Sequence, residues 1–446
     1  MRKSSLLFNS TLIIALLVLL GLLFFSSDKI TSKTPTSSDS ADRFSALASS
    51  ANSTDKRIQL AELAIKAKPQ QAAGYNQLCS ALIQKARETG DFSWNSRAEA
   101  ALKRSLEMNS NIEKENYDAL RLQASLHLTY HRFAEALQIG QQMQRLRPND
   151  HYAYGVLTDA LVELGRYQEA VEAADKMSDL HPDSTSYARI SYLRALHGYP
   201  DQAIEAMRLA VRASSPADRE GHAWYRVQLG NEFLNAGKLK EAGREFETAL
   251  QIFPDYYEGL AAQARLFVRL GDVEQAIALY RRAQERVPSP DTVIALGDLY
   301  TKQGRTEEAQ RQYALLEAIE RSGGNTYSPK LALYLADHDL KLDEALSIAQ
   351  RERAARSDIY TCDVLAWCLF KKGDFAAAKT AIDEALRLGT RDARIYYHAG
   401  MIAQSLKDHQ QAAKYLNLAL ATNPTFDVLQ AEIAQQTLKT ISKKTT

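Results

Sequence analysis

Residues 223–254 read AWYRVQLGNEFLNAGKLKEAGREFETALQIFP, and this stretch decides the fold. Small residues stand at Gly230 and Ala249 and a large aromatic residue at Phe246, with helical spacing on either side of Gly237. Gly237 permits a tight turn, and Pro254 ends the second segment because proline cannot continue a helix. Gly230 and Ala249 allow two helix backbones to approach closely, with Phe246 filling the space between units. The stretch therefore predicts a helical hairpin.

The same pattern returns along the chain at a fixed interval. Pro148 and Pro182 are 34 residues apart, and so are Pro254 and Pro288. A unit of this length is too short to be a domain, and it buries its apolar face only by stacking on neighbouring units. The sequence therefore predicts an all-α solenoid of about ten helix pairs, extending over residues 55–440.

Individual units differ in how closely they follow the pattern. A half unit at 58–69 opens the array, and residues 328–357 form a degenerate unit whose first helix is short and lacks its glycine. Phe426 to Leu438 has helical spacing and is interpreted as a closing cap over 426–440. The full units are predicted at 72–110, 117–148, 151–182, 184–216, 223–254, 257–288, 290–322, 359–390 and 393–424.

This arrangement of small, large, glycine and proline positions resembles the tetratricopeptide repeat family over roughly residues 58–440. The resemblance implies a superhelical solenoid whose first helices line a concave face, where members of the family usually bind extended peptides or partner helices. The C-terminal half also resembles a widespread group of such proteins without an assigned biochemical role, so the group implies no activity. The stretches that carry this second resemblance are Ser191–Arg194, Val293–Tyr300, Leu388–Ala393 and Tyr397–Ala403.

The N-terminus differs from the repeats. Arg2 and Lys3 precede an apolar stretch from Leu6 to Phe25, which as a helix would reach about 30 Å, the thickness of the hydrocarbon layer. A cleaved signal peptide is the alternative for residues 1–25, but it needs small residues after the apolar core. Bulky residues stand there instead, ending with Phe25. The sequence favours an uncleaved anchor over a signal peptide.

Residues 26–54 are rich in Ser, Thr and Asp, and they are predicted to form a flexible tether. The positive residues before the apolar stretch slightly favour an N-terminus inside the cytoplasm. We therefore expect the solenoid to lie outside the cytoplasm, attached to the membrane by a single N-terminal helix. If the segment is cleaved, the protein is secreted.

The composition of the chain and the absence of catalytic motifs argue against several classes of function. The chain has 55 Lys and Arg against 54 Asp and Glu, so its net charge of +1 argues against a nucleic-acid binder. It contains no His-Glu-x-x-His, no phosphate-binding glycine loop and no Gly-x-Ser-x-Gly. His127 and His131 are four residues apart but lack a further ligand with suitable spacing. We predict no enzyme activity, no metal, no cofactor and no small-molecule substrate.

Helical register places one stripe of each first helix on the concave face, apart from the stripe that packs on the partner helix. Aromatic and arginine side chains in such a stripe combine a large contact area with hydrogen bonding, as interface anchors do. We expect Trp224 and Trp367 to be the strongest anchors. The predicted partner-binding residues are Asp118, Arg121, Tyr152, Asp159, Trp224, Asn231, Arg265, Arg269, Asp298, Tyr360, Asp363, Trp367, Arg394 and Tyr397.

The leading hypothesis is a membrane-anchored scaffold that binds a partner protein or peptide through its concave face. An assembly factor that holds client polypeptides outside the cytoplasm, in the manner of a chaperone, is the alternative within binding proteins. An enzyme with an unrecognised site is the distant alternative from another class. Fold alone does not decide among them.

Overall fold

A computed structural model of the protein describes residues 53–108, 113–322 and 329–445. The predicted anchor, and the predicted tether as far as residue 52, lie outside these ranges. Within them, no helix combines the length and the apolar character that crossing a bilayer requires.

The described residues form twenty-two α-helices and no β-strand. The helices are α1 (Thr54–Ala67), α2 (Ala72–Thr89), α3 (Ser93–Glu107), α4 (Glu113–Thr129), α5 (Phe133–Leu146), α6 (His151–Glu163), α7 (Tyr167–Leu180), α8 (Ser184–Leu196), α9 (Pro200–Ala213), α10 (Arg219–Asn235), α11 (Leu239–Ile252), α12 (Tyr257–Leu270), α13 (Val273–Arg286), α14 (Pro290–Lys302), α15 (Thr306–Ser322), α16 (Pro329–Asp337), α17 (Leu342–Ala355), α18 (Ile359–Lys371), α19 (Phe375–Ala385), α20 (Ala393–Ser405), α21 (His409–Thr422) and α22 (Gln430–Thr445).

The chain divides into two compact units between Leu157 and Thr158, within helix α6. The first unit holds the described residues up to 157. Its core includes Leu82 of α2, Ala98 of α3 and Leu126 of α4. These residues are apolar and buried, so each helix contributes one face to a shared interior.

Close approach of the two helices defines the hairpins of the second unit, residues 158–445. A methyl group on Gly230 would overlap the ring of Phe246, and one on Gly297 would overlap the ring of Tyr313. Only glycine leaves room for an aromatic ring directly against the neighbouring helix backbone. These two small-to-large pairs, read from the sequence, are therefore close contacts between the paired helices of their hairpins.

Two second helices, α13 and α19, begin in the same way. Gly271 and Gly373 adopt positive φ angles of 82° and 84° at the turn. The aspartate that follows each glycine caps the next helix: Asp272 accepts from the backbone N–H of Gln275 at 3.2 Å, and Asp374 from that of Ala377 at 3.0 Å. A glycine followed by a capping residue thus ends one helix and starts the next.

Two elements near the C-terminus depart from the regular hairpin. The first helix of the degenerate unit, α16, has only nine residues, in keeping with the short helix expected there. The C-terminal helix α22 begins at Gln430, four residues after the start of the predicted cap, because Asp427 caps it by accepting from the N–H groups of Leu429 and Gln430. Residues 423–429 are therefore a non-helical connection.

The second unit returns on itself, bringing residues 163–198 against residues 356–391; we call this the return contact. The Ser357 N–H donates to the carbonyl of Glu163 at 3.0 Å, and the Ile359 N–H donates to the Tyr167 hydroxyl at 2.8 Å. Thr390 donates to the carbonyl of Leu196. These bonds join segments more than 190 residues apart in the sequence.

A buried charge pair completes the return contact. Arg356 donates through Nη1 to Glu163 Oε2 at 2.8 Å, and the side chains are 7% and 0% exposed. Glu352 and Asp358 also lie within 3.5 Å of the Arg356 Nε atom. A charge removed from water in this way is tolerated because its partners are already in place.

Gly165→Ala should open the return contact. Gly165 has a φ of +71°, and a methyl group there would overlap the Ser357 carbonyl. We expect faster hydrogen exchange at the amides of Ser357 and Ile359, measured by mass spectrometry on the full chain. Gly304→Ala is the matched control, because Gly304 has the same φ of +71° and nothing within 4 Å. Both variants carry backbone strain of roughly 1–2 kcal/mol, so equal protection at 357–359 in the two would contradict the prediction.

Candidate functional site

The predicted stripe of the first unit is a small stacked cluster. The Arg121 guanidinium lies 3.5 Å from the ring centroid of Tyr152, and its Nη1 is 3.7 Å from the Asp118 carboxylate. The side chains of Asp118 and Arg121 are 20% and 17% exposed, while Tyr152 is buried. The side chains of Arg121 and Asp118 are thus partly accessible to solvent, and the buried ring of Tyr152 packs against the Arg121 guanidinium.

The first predicted residue of the second unit, Asp159, is interior. It accepts from Arg189 Nε at 2.9 Å and from Nη2 at 2.5 Å, and each side chain is only 2% exposed. A two-bond arginine–carboxylate pair fixes the relative position of helices α6 and α8 within this unit. In this structure Asp159 therefore has a structural partner and no access to a protein outside.

Helix α10 is buried along almost its whole length. Trp224 is 1% exposed and Asn231 4% exposed. Asn231 accepts from Arg265 Nη2 of helix α12 at 3.0 Å, which links the stripes of two consecutive repeats. The tryptophan expected to anchor a partner instead fills the interior of the unit.

Helix α12 carries two of the three accessible stripe residues of the second unit, the third being Arg394. Arg265 and Arg269 are four residues apart, on one face of the helix, and both are half-buried. Among the described residues, Arg269 has no hydrogen-bond or ion-pair partner, and burial lowers its pKa. A guanidinium that is partly removed from water and left without a protein partner is ready to bind a carboxylate.

Most stripe residues of α14, α18 and α20 make polar contacts with other residues of the second unit. Asp298 accepts from the Tyr313 hydroxyl at 2.8 Å. Trp367 donates from Nε1 to Asp337 at 2.8 Å and stacks on His398, with ring centroids 4.1 Å apart.

Asp363, Tyr397 and Arg394 also have polar partners within the second unit, whereas the buried Tyr360 hydroxyl has no hydrogen-bond partner among the described residues. Asp363 bonds the Nδ1 atom of His398 at 2.8 Å, and Tyr397 donates to Gln430 at 2.7 Å. Arg394 Nη2 lies 3.7 Å from the Asp427 carboxylate. Tyr360, at 9% exposure, faces the interior. The stripe residues of α20 thus meet the chain's own segment at 427–430.

Nine of the fourteen predicted partner-binding residues are therefore buried in this structure. Partner contact stays a prediction for all fourteen, but only five have side chains that a partner can reach in this conformation. The buried set is Tyr152, Asp159, Trp224, Asn231, Asp298, Tyr360, Asp363, Trp367 and Tyr397. The accessible set is Asp118, Arg121, Arg265, Arg269 and Arg394.

A row of unpartnered polar atoms on α10 was not singled out from the sequence. Trp224, Gln228 and Glu232 succeed one another at four-residue intervals, so they share one helix face, and each is at most 2% exposed. Trp224 Nε1, Gln228 Nε2 and Glu232 Oε2 find no hydrogen-bond partner within the described ranges. The sequence does contain a signal for this row, which is the four-residue spacing of polar side chains on a helix without a solvent-facing side.

Glu232 is the member of this row with an ionisable side chain. Burial raises its pKa from 4.5 to about 8. The folded state therefore holds a proton that the unfolded chain releases between those two pH values. Rising pH favours the unfolded chain over that window by up to about 1.4 kcal/mol per pH unit, and the loss is complete above the folded pKa.

Glu232→Gln should flatten the pH dependence of stability, because a carboxamide keeps the shape and does not ionise. We expect the variant to resist urea better than wild type at pH 8.5, and the difference to shrink at pH 5. Circular dichroism at the two pH values measures it. Glu247→Gln, at an exposed position of α11, is the control and should follow wild type. Identical pH profiles for wild type and Glu232→Gln would show that Glu232 is ionised in the folded protein.

The chain was compared with known families, curated proteins and solved structures. The tetratricopeptide repeat family matches residues 85–196, 227–291 and 364–425, more than half of the chain. The BBSome complex member BBS4 homolog of Drosophila melanogaster is 24% identical over 311 residues, which cover 67% of this chain and 63% of that protein. The TPR repeat-containing protein YpiA of Bacillus subtilis (strain 168) is 22% identical over 287 residues, covering 63% and 66%.

The chain thus spans less than two thirds of the length of each of these two relatives. Among solved structures, the human IFIT1 dimer with PPP-AAAA aligns with a TM-score of 0.47 and 17% identity, covering 71% of this chain and 73% of that one. The family matches fall on the same helical hairpins that the glycine and proline positions define. The chain belongs to the tetratricopeptide repeat family.

Proposed function

We propose that the protein is a scaffold that binds a partner protein through the inner stripe of its repeats and performs no chemistry itself. Tetratricopeptide repeats support a role in protein–protein interaction, and the sequence lacks the motifs of nucleophilic, metal-dependent and phosphate-binding enzymes. The single observation that carries the proposal is the pair Arg265 and Arg269 on helix α12.

This pair gives the partner a chemical character. Arg269 has no partner of its own within the described residues, and Arg265 is oriented by its bond to Asn231. Two guanidinium groups one helical turn apart bind carboxylates, through paired hydrogen bonds and charge. We therefore propose that the partner presents acidic side chains to α12, with an affinity that falls as salt increases.

Reversing both charges should abolish capture of the partner. We expect Arg265→Glu with Arg269→Glu to lose the proteins that crosslinking and affinity capture recover with the wild-type full chain. Lys240→Glu with Arg244→Glu is the matched control, because these residues are exposed on α11, a second helix, and the charge change is the same. Equal recovery by both double variants, each folded by circular dichroism, would remove α12 from the interface.

We also propose that residues 6–25 anchor the chain in a membrane and that the repeats lie outside the cytoplasm. The support is the apolar run that follows Arg2 and Lys3 and is long enough to cross the hydrocarbon layer. Secretion after cleavage is the competing proposal, and it predicts a shorter mature chain.

Leu16→Arg with Leu17→Arg should release the protein from membranes, because each arginine at a helix centre costs about 2.5–3.5 kcal/mol of insertion. We expect wild type to remain in the membrane pellet after an alkaline carbonate wash and the variant to appear in the supernatant. Ser37→Arg with Ser38→Arg, in the predicted tether, is the control and should behave as wild type. A mature N-terminus beyond residue 25, read by mass spectrometry, would replace the anchor with a cleaved signal peptide.

A further inference from the structure

The connection between helices α21 and α22, residues 423–429, reaches well beyond its neighbouring hairpin. In a repeat array each element ordinarily contacts only the units next to it. Here Lys302, at the end of α14, donates to the Val428 carbonyl at 3.1 Å across 126 residues of sequence. Gln430 donates to the Asp337 carbonyl, at the end of α16, at 3.4 Å across 93 residues. The segment therefore spans the first helices of several repeats.

Two apolar side chains of residues 423–429 pack against the repeats. Phe426 is buried, with its ring centroid 5.2 Å from that of Tyr397. Val428 is half-buried and packs against the apolar cluster that includes Leu260 and Leu296 of helices α12 and α14. The segment is thus held by two apolar side chains on either side of Asp427.

A single carboxylate lies between these two apolar residues. Asp427 caps helix α22 through one oxygen, and its other oxygen lies 3.7 Å from Arg394 Nη2. Burial, and after it the charge of Asp427, raises the pKa of Asp337 to about 6, in keeping with a position of Asp427 near the end of α16. The segment thus presents its acidic group to a stripe residue of α20.

Gln430 completes the set of contacts. Its carboxamide oxygen accepts from the Tyr397 hydroxyl at 2.7 Å, and its nitrogen makes the bond to Asp337. Arg394 and Tyr397 are both stripe residues predicted from the sequence to bind a partner. In this structure they hold one backbone-anchored segment through charge, ring contact and hydrogen bonds.

We infer that residues 426–430 occupy a peptide-binding site, and that the natural partner presents a segment of the same chemistry: an aromatic, an acidic and an aliphatic residue in succession. This inference rests on the proposed function, since it names a second acidic partner contact on the same inner stripe. The chain's own segment then acts as a resident competitor. Because the segment is tethered, its effective concentration is about millimolar, and a partner peptide gains access only when the segment leaves.

A peptide of residues 423–430 tests this directly. The labelled peptide is titrated into the full chain, and binding is followed by fluorescence anisotropy. We expect weak binding to wild type, and binding stronger by about tenfold when Val428→Asp weakens the resident segment. Val428→Ser, a milder change, should lie between the two and provides a second measurement if the aspartate variant fails to fold.

Controls separate recognition from adventitious association. In the Val428→Ser background, Lys302→Glu should reduce peptide binding, because it removes the donor to the backbone carbonyl, whereas Lys240→Glu on α11 should leave binding unchanged. A peptide carrying Asp427→Lys should bind less tightly because it faces Arg394. Binding that ignores both changes, or no binding to any folded variant, overturns the inference.

The remaining outcomes also decide the question. If the Val428 variants form dimers and bind no peptide, the site accepts the same segment of a second copy, and the partner assignment is wrong. Capture that depends on Arg265 and Arg269 together with an absence of peptide binding rejects this inference alone. Peptide binding together with capture that ignores Arg265 and Arg269 rejects the proposed α12 interface alone.

Discussion

The close contact between a small residue on one helix and a large residue on its partner is the constraint on which the structure depends. At Gly230, Gly297 and Gly400 the facing side chain lies where a methyl group would otherwise be. Because of this contact, a side chain of the second helix packs directly against the backbone of the first helix. Their remaining apolar faces then point outward to the next hairpin, which must cover them. Periodicity, stacking and helix order all follow from it.

Stacking alone would leave the second unit open, and the return contact is what closes it. Backbone and side-chain bonds from residues 163–198 reach residues 356–391, with the Glu163–Arg356 pair buried among them. Such a pair gains little net free energy over apolar packing, but losing one partner is costly. The contact therefore favours one arrangement of the repeats in this unit over others.

The repeat period, the helix pairs and the short first helix of the degenerate unit could be predicted because each depends on local spacing of small, large, glycine and proline residues. The fate of Trp224 and Trp367 could not. Helical register shows which side chains share a helix face, but it does not show that Asp337 and His398, from other helices, enclose Trp367, or that Trp224 is buried within the unit. Gly165 and Gly198 appear in the sequence as ordinary turn glycines, although in the structure each also makes room for a distant carbonyl. Similarly, the apolar spacing from Phe426 onward indicated a helix, and the cap formed by Asp427 delayed its start to Gln430.

The residues that hold the segment at 426–430 are largely polar, and this polarity distinguishes a site for an exchangeable peptide from a permanent part of the fold. Replacing both members of a polar pair by apolar groups of the same shape changes net stability little, so firm binding alone does not require the polar side chains of Lys302, Arg394 and Gln430. What polar contacts supply is discrimination: a backbone carbonyl, a carboxylate and a carboxamide each require a matching group in a defined position. Lys302 is exposed and its bond to the Val428 carbonyl is accessible to water, so water can replace that bond at little cost when the segment leaves. Selective polar contacts, one of them open to water, are the properties that a site needs in order to recognise a partner.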